Sequence, residues 1–360
     1  MSRGTRAVID LRALQHNFQQ VRERAPYSRV LAVVKADAYG SGPVATARAL
    51  PDADGFGVAT FNEALTLRQA GIPQPILLME GVFSGAELQA AAQHQFEVVI
   101  HQQWQLDMLL NTRVVAPLVV WLKVNTGMNR LGLPLDQVMA SWQALKSCAN
   151  VCELRLMSHL ACADEATHPL NQSQLTAFAA LVETTGARSC SLANSAGLIR
   201  GEAYQYQWVR PGLMLYGASP LAECSAAALN LNPVMQLEAT IIAKSVVPAG
   251  STVGYGASWQ AELDTPVAVV AIGYGDGYPR HVSHEAYVLI QGKRCPIVGR
   301  VSMDMLSVDI SAVSEAPINA PVILWGNGLP VEDVAAWAGT INYELLCQVT
   351  DRVQRVYRTD

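Results

Sequence analysis

The 360-residue chain has no Cys-x-x-Cys pair, and its seven cysteines, at 148, 152, 162, 190, 224, 295 and 347, are odd in number. That set fits neither a zinc ribbon nor a disulfide framework, so a reducing compartment and no metal centre are expected. No stretch reaches the ~20 consecutive apolar residues of a membrane span. The N-terminus carries no basic-then-apolar signal layout. Instead, Leu11, Leu14, Phe18 and Val21 recur at helical spacing after Asp10, a residue suited to N-capping, and Pro26 stops the run. Repeats, low-complexity tracts and a long charged linker are likewise missing. Neither sign of charge dominates: the net charge is −5 with a pI near 5.8, which argues against a general phosphate-backbone binder and leaves room for a local anion pocket. A soluble cytoplasmic protein is expected, with neither nucleic acid nor membrane as partner.

Short runs of Val, Ile and Leu alternate with longer amphipathic stretches up to about residue 220, the order of βα units. The strand cores read as 30–35, 55–58, 75–79, 97–100, 118–124, 153–158, 189–193 and 206–210. Between them, Thr60–Ala70 is closed by Gly71, and Leu135–Lys146 opens after Pro134, ordinary stop and start signals for helices. Eight such units predict a (β/α)8 TIM-like barrel, since an open sheet would usually have six strands or fewer. After Pro233 the texture changes to strand-like runs at Gln236–Val247, Pro266–Ile272, Tyr287–Ile290, Cys295–Val298, Met305–Ile310 and Pro321–Trp325, broken by Gly, Pro and Asp. A mainly β C-terminal domain is expected, dividing the chain into 1–231 and 232–360, with the halves packed together rather than tethered.

Active sites of such barrels form at the C-terminal ends of the strands. Lys35 ends the first strand. Lys123 lies near the end of the fifth, in PLVVWLKVNTGMNRLG, with Arg130 in the loop beyond. His159 ends the sixth in RLMSHLA, Asn194 and Ser195 follow the seventh, and Arg210 ends the eighth in QWVRPGL. Each alone has an ordinary alternative. A strand-end lysine can snorkel to solvent, and a lone histidine can satisfy a local hydrogen bond. Arg210 can close a salt bridge, and Ser195 can N-cap the next helix. Their convergence on one rim favours a shared site, because unrelated groups would scatter over both ends of the barrel.

The loops after strands seven and eight of these barrels commonly hold phosphate on backbone N–H groups. Here they read Asn194-Ser195-Ala196-Gly197 and Arg210-Pro211-Gly212-Leu213. Gly212 permits close backbone approach and Ser195 adds a hydroxyl. A phosphate at this rim with a lysine across the mouth suggests pyridoxal phosphate, whose aldehyde forms a Schiff base with an amine. A carboxylate facing the pyridine nitrogen would keep it protonated, whereas Arg210, always charged, donates to it and leaves it unprotonated. The short carbanion lifetime that results favours returning a proton to the α-carbon over transamination or elimination. Racemisation needs acid–base groups on both faces of that carbon. Lys35 can serve one face. Tyr255, set between glycines in VGYGASW, is the candidate for the other; a free phenol, with pKa ~10, would need a cationic or imidazole neighbour such as Arg210 or His159. The alternative for Tyr255 is a packed turn aromatic.

VVKADAYGSG, LKVNTGMNRLG, WVRPGLMLYG, VGYGASW, AIGYGDGYPR, VGRVSMDM and INYELL, in that order, resemble motifs of the alanine racemases over about residues 5 to 345. The resemblance implies a pyridoxal-phosphate enzyme that interconverts L- and D-alanine by two bases, Lys35 on the D-alanine face and Tyr255 on the L-alanine face. It implies that Tyr39, Ser195, the backbone of Gly212 and Leu213, and Tyr343 hold the phosphate, with Asn194 beside them. Arg210 would face the pyridine nitrogen and His159 would link it to Tyr255. Lys123 matches a lysine that is often carbamylated and orients Arg130 near the substrate carboxylate and a cofactor oxygen. Arg130 and the backbone of Met303 would hold that carboxylate, and Tyr274 would line the entrance. In the family, Tyr255, Tyr274 and Met303 come from the partner subunit of a head-to-tail homodimer. The chain departs from the family pattern at Asp37 for the usual Asn, Ser41 for His and Asn125 for Asp, and in the tail TDRVQRVYRTD. Asp37 adds a negative charge close to Lys35 if its side chain points inward. The alternative for Lys123 is an ordinary lysine paired with a carboxylate.

Supply of D-alanine for peptidoglycan and D-alanine catabolism are both open as roles. A broad-spectrum racemase accepting serine or longer amino acids is the rival within the enzymes. A decarboxylase on a similar barrel is disfavoured by Arg210 where a carboxylate is expected. A non-catalytic pyridoxal phosphate carrier would have no use for the β domain or the Tyr255 motif.

Overall fold

The computed structural model describes residues 3–359. All eight anticipated strands form, as Arg29–Val33, Gly55–Val58, Ile76–Leu78, Phe96–Ile100, Leu118–Lys123, Val151–Met157, Cys190–Ser191 and Trp208–Val209. They close into a parallel barrel in which the last pairs with the first, Arg29 opposite Trp208. Alternation along the strands sorts the side chains into two layers. Leu31, Leu77, Val99, Trp121, Met157 and Trp208 form a cluster of their own in the lumen, while Val30, Ile76, Val98 and Val120 join the core under the helices. The lumen also holds a buried ion pair, Arg155 to Glu97 at 3.1 Å, with the guanidinium 5.0 and 4.7 Å from the ring centres of Trp121 and Trp208. Trp121 Nε1 donates to the same carboxylate at 2.7 Å. The barrel is therefore a filled core and not a pore, and ligands reach it only from its mouth.

Local signals set the helices. Asp10 caps Leu11–Arg24 by accepting from the Ala13 N–H at 2.9 Å. Phe61–Gln69 begins in a capping box of Thr60 and Glu63, and Leu135–Lys146 starts after Pro134 as expected.

The six anticipated C-terminal strands also form, as Met235–Val247, Thr265–Val270, Tyr287–Ile290, Lys293–Val298, Leu306–Asp309 and Pro321–Trp325. Two strands absent from the sequence reading complete their eight-stranded sheet. Arg6–Asp10 runs antiparallel to Met235–Val247, and Gln354–Arg358 runs parallel to Arg6–Asp10 with Arg6 opposite Gln354. The two ends of the chain thus lie side by side in the β domain. Helices Val331–Ala338 and Asn342–Gln348 lie between the strands Pro321–Trp325 and Gln354–Arg358, and the second packs on the loop after the first barrel strand. That approach requires Gly40, where φ is +74° and a Cβ would come within 2.3 Å of the Leu346 carbonyl oxygen. All seven cysteines are free. Among the described residues, no helix is long and apolar enough to cross a membrane.

Candidate active site

A cavity of about 580 Å³ opens at the C-terminal end of the barrel, with Lys35, Arg130, His159 and Arg210 on the barrel side and Tyr343 on the β-domain side. Lys35 lies two residues beyond its strand. The four residues after it, Ala36, Asp37, Ala38 and Tyr39, all have φ between 51° and 55°. This is a turn of left-handed helix without a glycine, at roughly 1–2 kcal/mol per residue against right-handed backbone. Tertiary contacts hold it. The Ala36 N–H donates to Glu63 Oε1 at 2.7 Å, the Tyr39 ring stacks on Tyr216 at 4.4 Å, and Asp37 pairs with Arg355 at 3.5 Å. The Asp37 carboxylate is thus engaged by the last strand of the β domain.

Across the mouth, Asn194 and not Ser195 caps the helix Ser195–Arg200, its Oδ1 accepting from the Gly197 N–H at 2.9 Å. Ser195 Oγ is left to accept from the N–H groups of Gly212 at 2.9 Å and Met214 at 3.4 Å. A Cβ on Gly212 would sit 2.5 Å from Tyr39 Oη. Burial raises the Tyr39 pKa and pushes that of Tyr343 up to about 12, so both phenols are O–H donors at neutral pH. With Leu213 bordering the same corner, this is a concave set of amides and hydroxyls suited to a small oxyanion.

The remaining wall is cationic. Arg210 is buried and has no carboxylate partner among the described residues. Its Nη1 donates to Ser191 Oγ, its Nη2 donates to the Ser158 carbonyl at 2.6 Å and to His159 Nδ1 at 3.3 Å, and its Nε has no partner. Burial pushes its pKa down to about 10, which leaves it charged at neutral pH. Burial and then Arg210 hold the His159 pKa well below the usual histidine value. Lys123, the last residue of its strand, makes no side-chain hydrogen bond or ion pair among the described residues. Burial, Arg210 and Arg130 together push its pKa down to about 8. Arg130 is exposed at the mouth and equally without a partner among those residues. Asn125 shapes the loop that carries it: its Oδ1 accepts from the N–H groups of Gly127 at 3.1 Å and Asn129 at 3.0 Å. An amide serves there as well as a carboxylate. No group of three or more His, Cys, Asp or Glu among the described residues could hold a metal ion.

The models of the alanine racemase N-terminal and C-terminal domains match residues 9–220 and 234–357. The chain belongs to the alanine racemase family. It is 46% identical over 356 residues to the alanine racemase of Vibrio vulnificus (strain CMCP6), covering 98% of each chain. It is 47% identical over 350 residues to that of Nitrosococcus oceani, covering 97% of this chain and 98% of the other. Among solved structures, the biosynthetic alanine racemase from Pseudomonas aeruginosa matches with a TM-score of 0.96 at 44% identity, over 99% of this chain and 100% of that one. Membership in the alanine racemases makes the chain an isomerase.

Three residues that the resemblance to alanine racemases singles out lie outside the cavity. Tyr255, Tyr274 and Met303 gather on the β domain along the segment 299–305. A Cβ on Gly256 would sit 2.9 Å from Arg300 Nη1, the Tyr274 N–H donates to the Ser302 carbonyl at 3.1 Å, and the Gly275 N–H donates to the Met303 carbonyl at 2.8 Å. Tyr255 is 73% exposed and Met303 53%, and neither lines the cavity that holds Lys35. Two residues escaped the sequence reading. Ser191, whose Oγ receives the Arg210 hydrogen bond, carried a signal as a polar residue inside a strand. Tyr216, which supports Tyr39, lies inside the motif WVRPGLMLYG but had no role assigned to it.

Proposed function

We propose that the chain racemises alanine with bound pyridoxal phosphate, moving protons at Lys35 on one face of the α-carbon and at Tyr255 of a second subunit on the other. The observation that carries this reading is a lysine in a cavity facing a buried arginine whose Nε is an unpartnered donor. The cofactor fits on two counts. A pyridine nitrogen is the acceptor that Nε lacks, and the missing Cβ of Gly212 leaves its amide and Tyr39 Oη within reach of one phosphate. Tyr39, Ser195, Gly212, Leu213 and Tyr343 would hold the phosphate, with Asn194 fixing the loop, and Lys35 would bind the aldehyde carbon. When bound, the cofactor supplies an electron-withdrawing ring that acidifies the α-hydrogen of the amino acid.

The chain's own groups account for the rest. Arg130, unpaired at the mouth, would clamp the substrate carboxylate. Lys123 has a pKa of about 8 and no ion pair among the described residues; carbamylation would replace a cation beside Arg210 and Arg130 by an anion. His159 would hydrogen-bond the Tyr255 oxygen. Tyr255, Tyr274 and Met303 are exposed, and a head-to-tail homodimer would cover them while placing them over the partner's cavity. In this division the barrel within 1–231 carries the cofactor, and the β domain, 232–360 with the strand Arg6–Asp10 added to its sheet, completes the neighbouring site. The proposed setting is the cytoplasm, with D-alanine made for peptidoglycan or consumed in catabolism.

The test is racemisation of L-alanine by the purified protein with added cofactor, read by chiral chromatography beside L-serine and L-lysine. Lys35→Ala should lose both turnover and the visible cofactor band. Tyr255→Phe should keep the band and lose on the order of 10²–10⁴ in turnover. Normal turnover in Lys35→Ala would sink the assignment, and equal turnover of the larger amino acids would make the enzyme a broad-spectrum racemase.

A further inference from the structure

The left-handed turn behind Lys35 is braced by one side chain from the other end of the chain. Arg355, on the strand Gln354–Arg358 and 14% exposed, donates from Nε to the Gly40 carbonyl at 3.2 Å and pairs with Asp37 at 3.5 Å. Its Nη1 donates to the carbonyls of Thr350 at 2.7 Å and Val353 at 2.9 Å, and its Nη2 to that of Val349 at 2.8 Å. One guanidinium thus joins the segment 349–353 to two residues of the lysine's loop. The same loop is closed against the β domain at Gly42, where φ is +85° and a Cβ would meet Tyr357 Oη at 2.1 Å. Four consecutive non-glycine residues do not stay left-handed unaided. A relaxed turn would re-aim the residue at its start, which is Lys35.

We propose that Arg355 is a positioning residue for Lys35: by pinning Asp37 and Gly40 to the β domain it holds the turn that aims the lysine into the cavity. The proposal rests on the reading of Lys35 as the cofactor's lysine. A lysine at 355 would keep the charge, yet one ammonium cannot serve four carbonyls and a carboxylate as a planar guanidinium does. Asp37 is a milder probe. It is solvent-exposed, and Arg355 is its only side-chain partner among the described residues.

Arg355→Lys and Asp37→Asn, singly and together, are compared with wild type and Lys35→Ala. The readouts are cofactor retention on dialysis, visible circular dichroism of bound cofactor, kcat and KM for alanine, and melting temperature of the cofactor-free protein. Arg355→Lys should lose cofactor about tenfold faster, change the dichroism, and lower kcat about tenfold with KM within about twofold. Asp37→Asn should shift the same readouts less, and the double variant should be no worse than Arg355→Lys alone. Unchanged retention and dichroism in Arg355→Lys would overturn the proposal, as would additive losses in the double variant. So would a lower melting temperature with retention and kcat intact, because that is a structural role only. A cofactor band surviving Lys35→Ala would instead remove the reading of Lys35, and the proposal with it.

Discussion

Arg210 Nη2 lies 3.3 Å from Nδ1 of His159. A guanidinium can only donate, so that ring nitrogen accepts, the imidazole is neutral and its proton is on Nε2. Burial and Arg210 keep it neutral by lowering its pKa well below 6.5 in the folded state. The unfolded chain takes up this proton as pH falls through ~6.5 while the folded chain does not, so stability falls from there down to the lowered folded pKa and no further. A series of melting temperatures through this range should show the decline, and His159→Gln should flatten it. An identical decline in the variant would assign the effect to other groups.

Arg210→Glu tests the other half of that pair. If Arg210 faces the cofactor's ring nitrogen as proposed, a carboxylic acid in its place would strengthen the electron sink. Racemisation should fall on the order of 10²-fold or more, and pyruvate formation from alanine, the mark of transamination, should rise relative to it. Both are read in one incubation.

Gly212→Ala would drive a methyl group towards Tyr39 Oη, 2.5 Å from the position of that Cβ. Overpacking of this kind costs about 1–3 kcal/mol, here set against cofactor binding. Cofactor Kd should rise about tenfold or more, with kcat at saturating cofactor near the wild-type value. A fall in kcat without a change in Kd would place the phosphate elsewhere.

Arg155→Met leaves Glu97 buried in the lumen without its cation. Removing one partner of a buried ion pair costs about 3–5 kcal/mol, whereas replacing both can be neutral. The single variant should therefore melt well below wild type, and Glu97→Leu with Arg155→Met should recover most of the loss. The folded remainder should racemise normally, because the pair lies beneath the cavity and outside its lining.

The barrel is legible because parallel strands covered on both faces are continuous apolar runs, as around Val30, Val98 and Val120. Once their ends are placed, Lys35, Lys123, His159 and Arg210 fall on one rim by counting. The strands RAVID and QRVYR mix charged and polar residues with apolar ones, and Arg6 finds its partner Glu238 232 residues away, so no continuous apolar run marks them. The left-handed turn is invisible for a related reason: Ala36-Asp37-Ala38-Tyr39 has no glycine to announce positive φ, and Glu63, Tyr216 and Arg355 impose it from a distance. Tyr274 and Met303 resemble ordinary surface turn residues of one chain, and only the family likeness singles them out; Tyr255 stands out by its place between glycines, but its place opposite Lys35 rests on that likeness too.

The strand that braces the lysine's loop is synthesised long after it, with Arg355 reaching the Gly40 carbonyl across 315 residues. On a ribosome, the barrel strands can pair while that strand is still unmade, leaving the amine on a loop free to relax. Contacts of such sequence separation form late in folding. The turn at Lys35 is therefore fixed after the barrel strands have paired, and a chain stopped before residue 354 would carry that lysine on an unbraced loop.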